Sequence, residues 1–171
     1  MNQGDAISEI TPDLMLRAYA AGIFPMAKAK ATETVFWVYP RERGILPLDN
    51  FHVSKSLRKT VRQNRFEIRC NTAFAETLAE CSCQTRERCD TWINASIERC
   101  VNQLHARGFA HSIECWLDSK LVGGLYGISL GAAFFGESMF SRIANASKVA
   151  LVHLITHLKL GGYQLLDTQF S

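Results

Sequence analysis

Residues 111–129 read HSIECWLDSKLVGGLYGIS. Two runs rich in aliphatic and aromatic residues, His111 to Leu117 and Leu121 to Ser129, flank Asp118-Ser119-Lys120. Asp and Ser hydrogen-bond their own backbone and favour turns, so the stretch reads as an antiparallel hairpin. Ala132 to Glu137 supplies a third strand directly after it. Asn145 or Ser147 then opens a helix carrying Val149, Leu151, Val152, Ile155 and Leu158, which Gly161-Gly162 ends. Tyr163 to Thr168 reads as a final strand.

Working upstream, Thr11-Pro12-Asp13 places a capping hydroxyl ahead of a proline at the first helical position. That helix runs to Ala21 and stops at Gly22, and Pro25 argues against quick resumption of regular structure. Val35 to Tyr39 and Gly44 to Leu46 read as short strands broken by Pro40 and Pro47. Ser54 to Gln63 reads as a helix, and Phe66, Ile68 and Cys70 alternate as in a half-buried strand. Thr72 can cap a helix through Glu80, and Asn94 can cap another that Gly108 closes. The result is a mixed α/β (α+β) domain over residues 51–171, preceded by a small N-terminal subdomain over residues 1–50. The element order resembles the Gcn5-related acyltransferase scaffold, a mixed sheet with flanking helices.

The chain has 171 residues, 47% hydrophobic and 20% charged, which suits a globular protein with a real core. No apolar run is long enough to span a bilayer, and Met1-Asn2-Gln3-Gly4-Asp5 is unlike a secretory signal. The expectation is a cytoplasmic protein with no membrane partner. In that compartment Cys70, Cys81, Cys83, Cys89, Cys100 and Cys115 stay reduced. Cys81-x-Cys83 followed by Cys89 lacks the paired C-x2-C form and a nearby His, so no metal is expected. The net charge of +3 is too small to diagnose a nucleic-acid partner. Its distribution says more: Lys55, Arg58, Lys59, Arg62, Arg65 and Arg69 are opposed only by Glu67. Such a stretch suits a phosphate backbone or a solvated helix face, and both readings stay open on residues alone.

Four segments carry a family pattern. They are Ala21-Gly22-Ile23-Phe24-Pro25, Phe51-His52-Val53-Ser54-Lys55-Ser56-Leu57, Thr91-Trp92-Ile93, and a long stretch from His111 to Lys148. The last contains Leu121-Val122-Gly123-Gly124-Leu125-Tyr126-Gly127 and Phe135-Gly136-Glu137-Ser138-Met139-Phe140-Ser141-Arg142. Leu166-Asp167-Thr168-Gln169 follows as a hydrophobic-Asp-x-Gln element. Together, in this order, they resemble the bacterial leucyl/phenylalanyl-tRNA–protein transferases. The resemblance implies an enzyme that moves Leu or Phe, with Met as a third donor, from aminoacyl-tRNA to a protein beginning with Arg or Lys. The new peptide bond marks that protein for degradation under the N-end rule.

The resemblance also distributes roles. It implies that Asp167 and Gln169 assist deprotonation of the acceptor amine and that Glu137 receives the basic acceptor terminus. It implies a donor side-chain pocket of Leu125, Phe134, Met139, Leu151 and Leu166. It places Trp92 and Met26 near the terminal adenosine of the tRNA, and Lys55, Arg58, Lys59 and Arg62 are read as phosphate contacts. Read without the family, Asp167 and Gln169 share one strand face but also suit a solvated strand end. Glu137 also suits an ion pair with Arg142 or Lys148, the five apolar residues suit ordinary core, and Trp92 a core or hairpin position.

The implied chemistry is aminolysis of an already activated ester, so neither ATP nor another cofactor is expected. A non-catalytic binder of tRNA or of basic N-termini is the rival from another class. CoA-dependent N-acetylation is the rival enzyme. Against the latter, Arg142-x-x-Asn145-x-Ser147-Lys148 lacks the glycines that let a pyrophosphate approach the backbone. Two departures from the family matter. Met26 stands where a stacking Trp is common, which predicts weaker donor binding. The match stops at Phe170-Ser171, where longer members continue for several dozen residues, which predicts a more open site.

Overall fold

The computed structural model describes residues 10–83 and 91–169. Thr11 caps α1 (Pro12–Ala20) as expected, its hydroxyl accepting from the Leu14 amide, and Gly22 follows in the left-handed region. A strand then forms where none was expected: β1 (Phe24–Ala27) pairs antiparallel with β2 (Val35–Val38) in a separate two-stranded sheet. Pro25 is tolerated because a two-stranded ribbon consists of edges, where a missing N–H breaks no ladder. β3 (Gly44–Leu46), α2 (Lys55–Arg62) and β4 (Glu67–Cys70) come next. They are followed by α3 (Phe74–Cys81) and α4 (Ala95–Ala106).

The hairpin comprises β5 (Ala110–Leu117) and β6 (Lys120–Leu130), with Asp118 at φ 50° and Ser119 at φ 61° in its turn. Two successive left-handed residues match the twist of a tight hairpin. β7 (Ala133–Ser141) runs four residues beyond the expected Glu137 end, and α5 (Ala146–Leu160) and β8 (Leu165–Gln169) close the fold. The main sheet has the order β3-β8-β7-β6-β5-β4, antiparallel throughout except for the β7–β8 pair. β8 therefore sits between β3 and β7, and its only parallel neighbour is β7.

Each face of this sheet has its own core. One packs α1, α3, α4 and the β1–β2 ribbon against Tyr126, Ile128, Phe135 and Phe140. The other packs α2 and α5 against Val122, Leu125, Phe134 and Leu166. Each fully buried aliphatic side chain in these layers contributes roughly 1.5–3 kcal/mol. Gly123 is required by the second layer, since a Cβ there would lie 2.4 Å from that of Ala146 at the start of α5.

The start of α3 departs from expectation. Its N-cap is Ala73, which has no side chain to cap it. Thr72 instead donates its hydroxyl to Glu114 on β5, and Glu114 accepts the Ala73 amide at 2.8 Å. Ser112 Oγ and Trp116 Nε1 complete four donors around a fully buried carboxylate. Burial alone would raise its pKa; the four hydrogen bonds outweigh that and hold Glu114 below the usual carboxylate range. Cys70, Cys100 and Cys115 are free thiols, while Cys89 lies outside the described residues.

Candidate active site

Two irregularities in the sheet build the site. On β7, Tyr126 opposes Ser138 and Gly127 opposes Gly136, so Glu137 is the extra residue of a bulge. On β8, Asp167 opposes Ile45 and Gln169 opposes Gly44, so Thr168 is extra. The β7–β8 pairing ends at Phe135 opposite Asp167, the point at which both bulges begin. Bulges re-aim side chains and end pairing, which is why they recur beside functional clefts. Here they turn Glu137, Asp167 and Gln169 toward one another.

The resulting polar chain is continuous. Gln169 Nε2 donates to Glu137 Oε2 at 2.7 Å, and the Gln169 amide donates to Asp167 Oδ1 at 2.7 Å. Arg43 Nε and Nη2 both reach Asp167 Oδ2 at 2.8 Å. Asp167 and Gln169 are 4% and 6% exposed, so the pair is an interior element rather than a solvated strand end. Gln169 adopts φ 69°, a left-handed geometry that a non-glycine residue holds only under constraint. Glu137 pairs with Gln169, whereas Arg142 pairs with Glu80 at 2.7 Å.

Glu137 is electrostatically unusual. Burial pushes its carboxyl up to about 7, with Asp167 adding to the rise; Tyr19, Gln169 and Arg43 pull in the other direction. Its Oε1 is buried without a hydrogen-bond partner among the described residues, although the Tyr19 hydroxyl lies close enough to lower the carboxyl's pKa. Burial, then the Glu137 charge, raise the Tyr19 phenol well above its ordinary value, so it stays protonated.

Beside Glu137 opens a cavity of about 220 Å³ lined by Leu46, Leu125, Gly136, Met139, Leu151, Leu154, Leu166 and Thr168, among others. Four of the five expected pocket residues, Leu125, Met139, Leu151 and Leu166, line it. Phe134 does not: it is 2% exposed in the core, edge-on to Tyr163 at 6.5 Å. A Cβ at Gly127 would lie 2.3 Å from its ring, so Phe134 fills the space that glycine leaves. Leu46 and Leu154 were not expected. Neither were Arg43 and Tyr19. The spacing of Tyr19 from Met15, four residues apart on α1, signalled burial; Arg43 carried no sequence signal.

Lys55, Arg58, Lys59 and Arg62 share one exposed face of α2 and line a shallow groove with Gln63. None of the four makes an ion pair with a described residue. Leu57 and Val61 attach the opposite side of α2 to the core layer that also contains α5 and the cavity. Met26 and Trp92 are half-buried, and the Ala27 amide donates to the Trp92 carbonyl at 3.0 Å, so the two segments adjoin. At the start of α5, the Ser147 amide donates to Ser141 Oγ at 3.0 Å and Asn145 stands at φ 69°.

A mixed sheet with helices on both faces, splayed at a parallel pair beside an apolar cavity, defines a Gcn5-like acyltransferase scaffold. Two solved structures share this fold. The chain superposes on L-PGS from Bacillus licheniformis with a TM-score of 0.52 and 14% identity, covering 95% of this chain and 51% of that one. On the C-terminal domain of a protein described as a lysylphosphatidylglycerol synthetase from Agrobacterium fabrum the TM-score is 0.51 and the identity 13%, covering 97% and 54%. Within that class the sequence is decisive. Residues 45–171 match the leucyl/phenylalanyl-tRNA protein transferase family, and residues 8–41 match that family's N-terminal domain. The chain belongs to this family. It is 59% identical to the leucyl/phenylalanyl-tRNA–protein transferase of Rhizorhabdus wittichii, covering 94% of this chain and 65% of the relative. Identity is 58% to that of Paramagnetospirillum magneticum, covering 94% and 77%, and 55% to that of Zymomonas mobilis, covering 94% and 60%. The chain thus spans a little under two thirds of the Rhizorhabdus relative's length.

Proposed function

We propose that the chain transfers leucine or phenylalanine from aminoacyl-tRNA to the N-terminus of proteins beginning with Arg or Lys. The observation that carries this is Glu137, which belongs at once to the wall of the apolar cavity and to the buried polar chain. A donor side chain in the cavity sets its ester beside that chain. A cavity of about 220 Å³ is smaller than a typical drug-sized site and suits one apolar side chain. Met139 can adjust to Leu, Phe or Met, while β-branched donors fit less well.

The acceptor arrives positively charged. The buried site holds two carboxyl groups, Glu137 and Asp167, against one guanidinium, Arg43. Glu137 Oε1 is the natural partner for an acceptor cation. A carboxyl poised at about 7 holds a cation when ionised and sits in the range where proton transfer at neutral pH is efficient. Gln169 and Asp167 orient the amine and assist loss of its proton as it attacks the ester carbon. The bond to the tRNA ribose oxygen breaks, and that oxygen takes up a proton. Positioning of the two reactants supplies much of the acceleration, up to roughly 7–11 kcal/mol in model systems.

The α2 groove follows the tRNA phosphates without reading sequence, and Trp92 with Met26 contacts the terminal adenosine. The start of α5 favours tRNA over CoA as donor, since the Ser147 amide is engaged by Ser141 and Arg142 by Glu80. Both substrates are cytoplasmic, and no helix among the described residues is long and apolar enough to cross a membrane. The test is transfer of labelled Phe from Phe-tRNA to an Arg-starting peptide, with an Ala-starting peptide and acetyl-CoA as controls. Binding of Phe-tRNA without any transfer would leave the non-catalytic reading instead.

A further inference from the structure

We propose that Arg43 is a positioning residue for this transfer, holding Asp167 and, through it, Gln169 in the geometry that meets Glu137. The inference rests on the function proposed above but concerns a residue that is not among those lining the cavity.

Arg43 lies between the two segments that match the family models and joins them. Its Nη1 donates to the Gly22 carbonyl at 3.0 Å, in the turn after α1. Its Nε and Nη2 hold Asp167 Oδ2 at 2.8 Å. The guanidinium lies over the Phe24 ring at 5.1 Å and the Phe135 ring at 5.9 Å, one from each side of the junction. A planar fork packed against two rings has little freedom, so it fixes the carboxylate it grips.

The consequence passes down the chain of bonds. With Oδ2 committed to Arg43, Oδ1 faces the Gln169 amide and stabilises its left-handed backbone. That backbone aims Nε2 at Glu137 Oε2. Without Arg43, Asp167 is a buried carboxylate without its counter-ion, and nothing holds Oδ2 in place. Its rotation releases the Gln169 backbone and breaks the alignment. A residual misplacement of about 1 Å is enough to slow such a reaction about a hundredfold.

The experiment compares the full chain with Arg43→Gln and Arg43→Lys, measuring kcat, donor KM and the pH profile of transfer. Arg43→Gln should lower kcat about a hundredfold with donor KM within about twofold. Its acid limb should also move to higher pH, because Arg43 is the cation that lowers the Glu137 carboxyl. The other groups facing Glu137 are Tyr19 from α1 and Asp167 and Gln169 from β8, with Tyr126 of β6 beside Tyr19; release of the Gln169 hydrogen bond moves the limb in the same direction. Arg43→Lys keeps the charge but cannot span Gly22 and Asp167, so its limb should stay in place while kcat falls about tenfold. Should Arg43→Gln fail to fold, Arg43→Lys decides alone, through its kcat at unchanged donor KM. A kcat within about twofold of the parent in the folded variants overturns the role. No transfer by the parent chain overturns the functional reading itself, and this role with it.

Discussion

Exchanging Glu137 for Gln keeps the side chain's shape and removes its titrating oxygen. The amide can still present an oxygen to Gln169 Nε2, so the 2.7 Å hydrogen bond survives. What changes is the linkage of folding to pH. The folded carboxyl sits at about 7, against an ordinary 4.5 in the unfolded chain. Its stabilising contribution is therefore complete below the unfolded value and is lost as pH rises through the folded one. At about 1.36 kcal/mol per unit, the ionised group costs the folded protein on the order of 3 kcal/mol above neutrality. Urea unfolding of both proteins, stepped from about pH 5 to about pH 8, should show the variant gaining that much relative to the parent. Burial lowers the pKa of His111 and His153, but both are present in each protein and cancel. Glu114 titrates below this window. A stability difference flat to within about 0.5 kcal/mol would refute the reasoning. The same variant should lose at least about tenfold in transfer to an Arg-starting peptide, so the stabler protein is the poorer enzyme.

Three further outcomes follow from the geometry. Glu114→Gln turns one accepting oxygen into a donor facing other donors, so it should destabilise by roughly 2–4 kcal/mol at neutral pH; because the parent carboxyl is held low, that advantage is present above the unfolded value and disappears as acid titrates the folded group, which denaturation at two pH values would reveal. Met139→Asp, on a side chain 43% exposed at the cavity wall, should keep the fold and abolish transfer, whereas Phe134→Asp should unfold the chain, a contrast read by circular dichroism beside the transfer assay. Neutralising Lys55 and Arg58 together should weaken tRNA binding and reduce the slope of log K against log salt by about 1–2; an unchanged slope assigns that face to solvent alone.

Much of the architecture was legible because its signals are local. Thr11, Ser54 and Asn94 cap helices through their own hydroxyl or amide side chains, and Asp118-Ser119 encodes the hairpin. β1 was hidden because Pro25 reads as a breaker until it is known to lie in a ribbon of edges. The cap of α3 was hidden because its acceptor, Glu114, comes from 41 residues away. In the site, the shared strand face of Asp167 and Gln169 follows from a period of two, and both are buried. Arg43 reaches Asp167 across 124 residues, a pairing no spacing rule contains. Four cavity residues followed from the family resemblance and not from any spacing rule, while Leu46 and Leu154 carried no signal, since the bulge at Glu137 changes which side chains meet there.

The place of β8 in the sheet has a kinetic meaning. Among the described residues it is the strand furthest along the chain, yet it lies inside the sheet, and β3 has no other partner there. During synthesis the meander of β5, β6 and β7 can form from neighbouring segments as it emerges, while β3 and Arg43 must wait for β8. Arg43 meets Asp167 across 124 residues, a non-local contact whose closure entropy must be met before it forms. The polar chain through Glu137 is thus complete only once β8 is in place. In reverse, displacement of β8 would break the polar chain while leaving the β5–β6 hairpin paired.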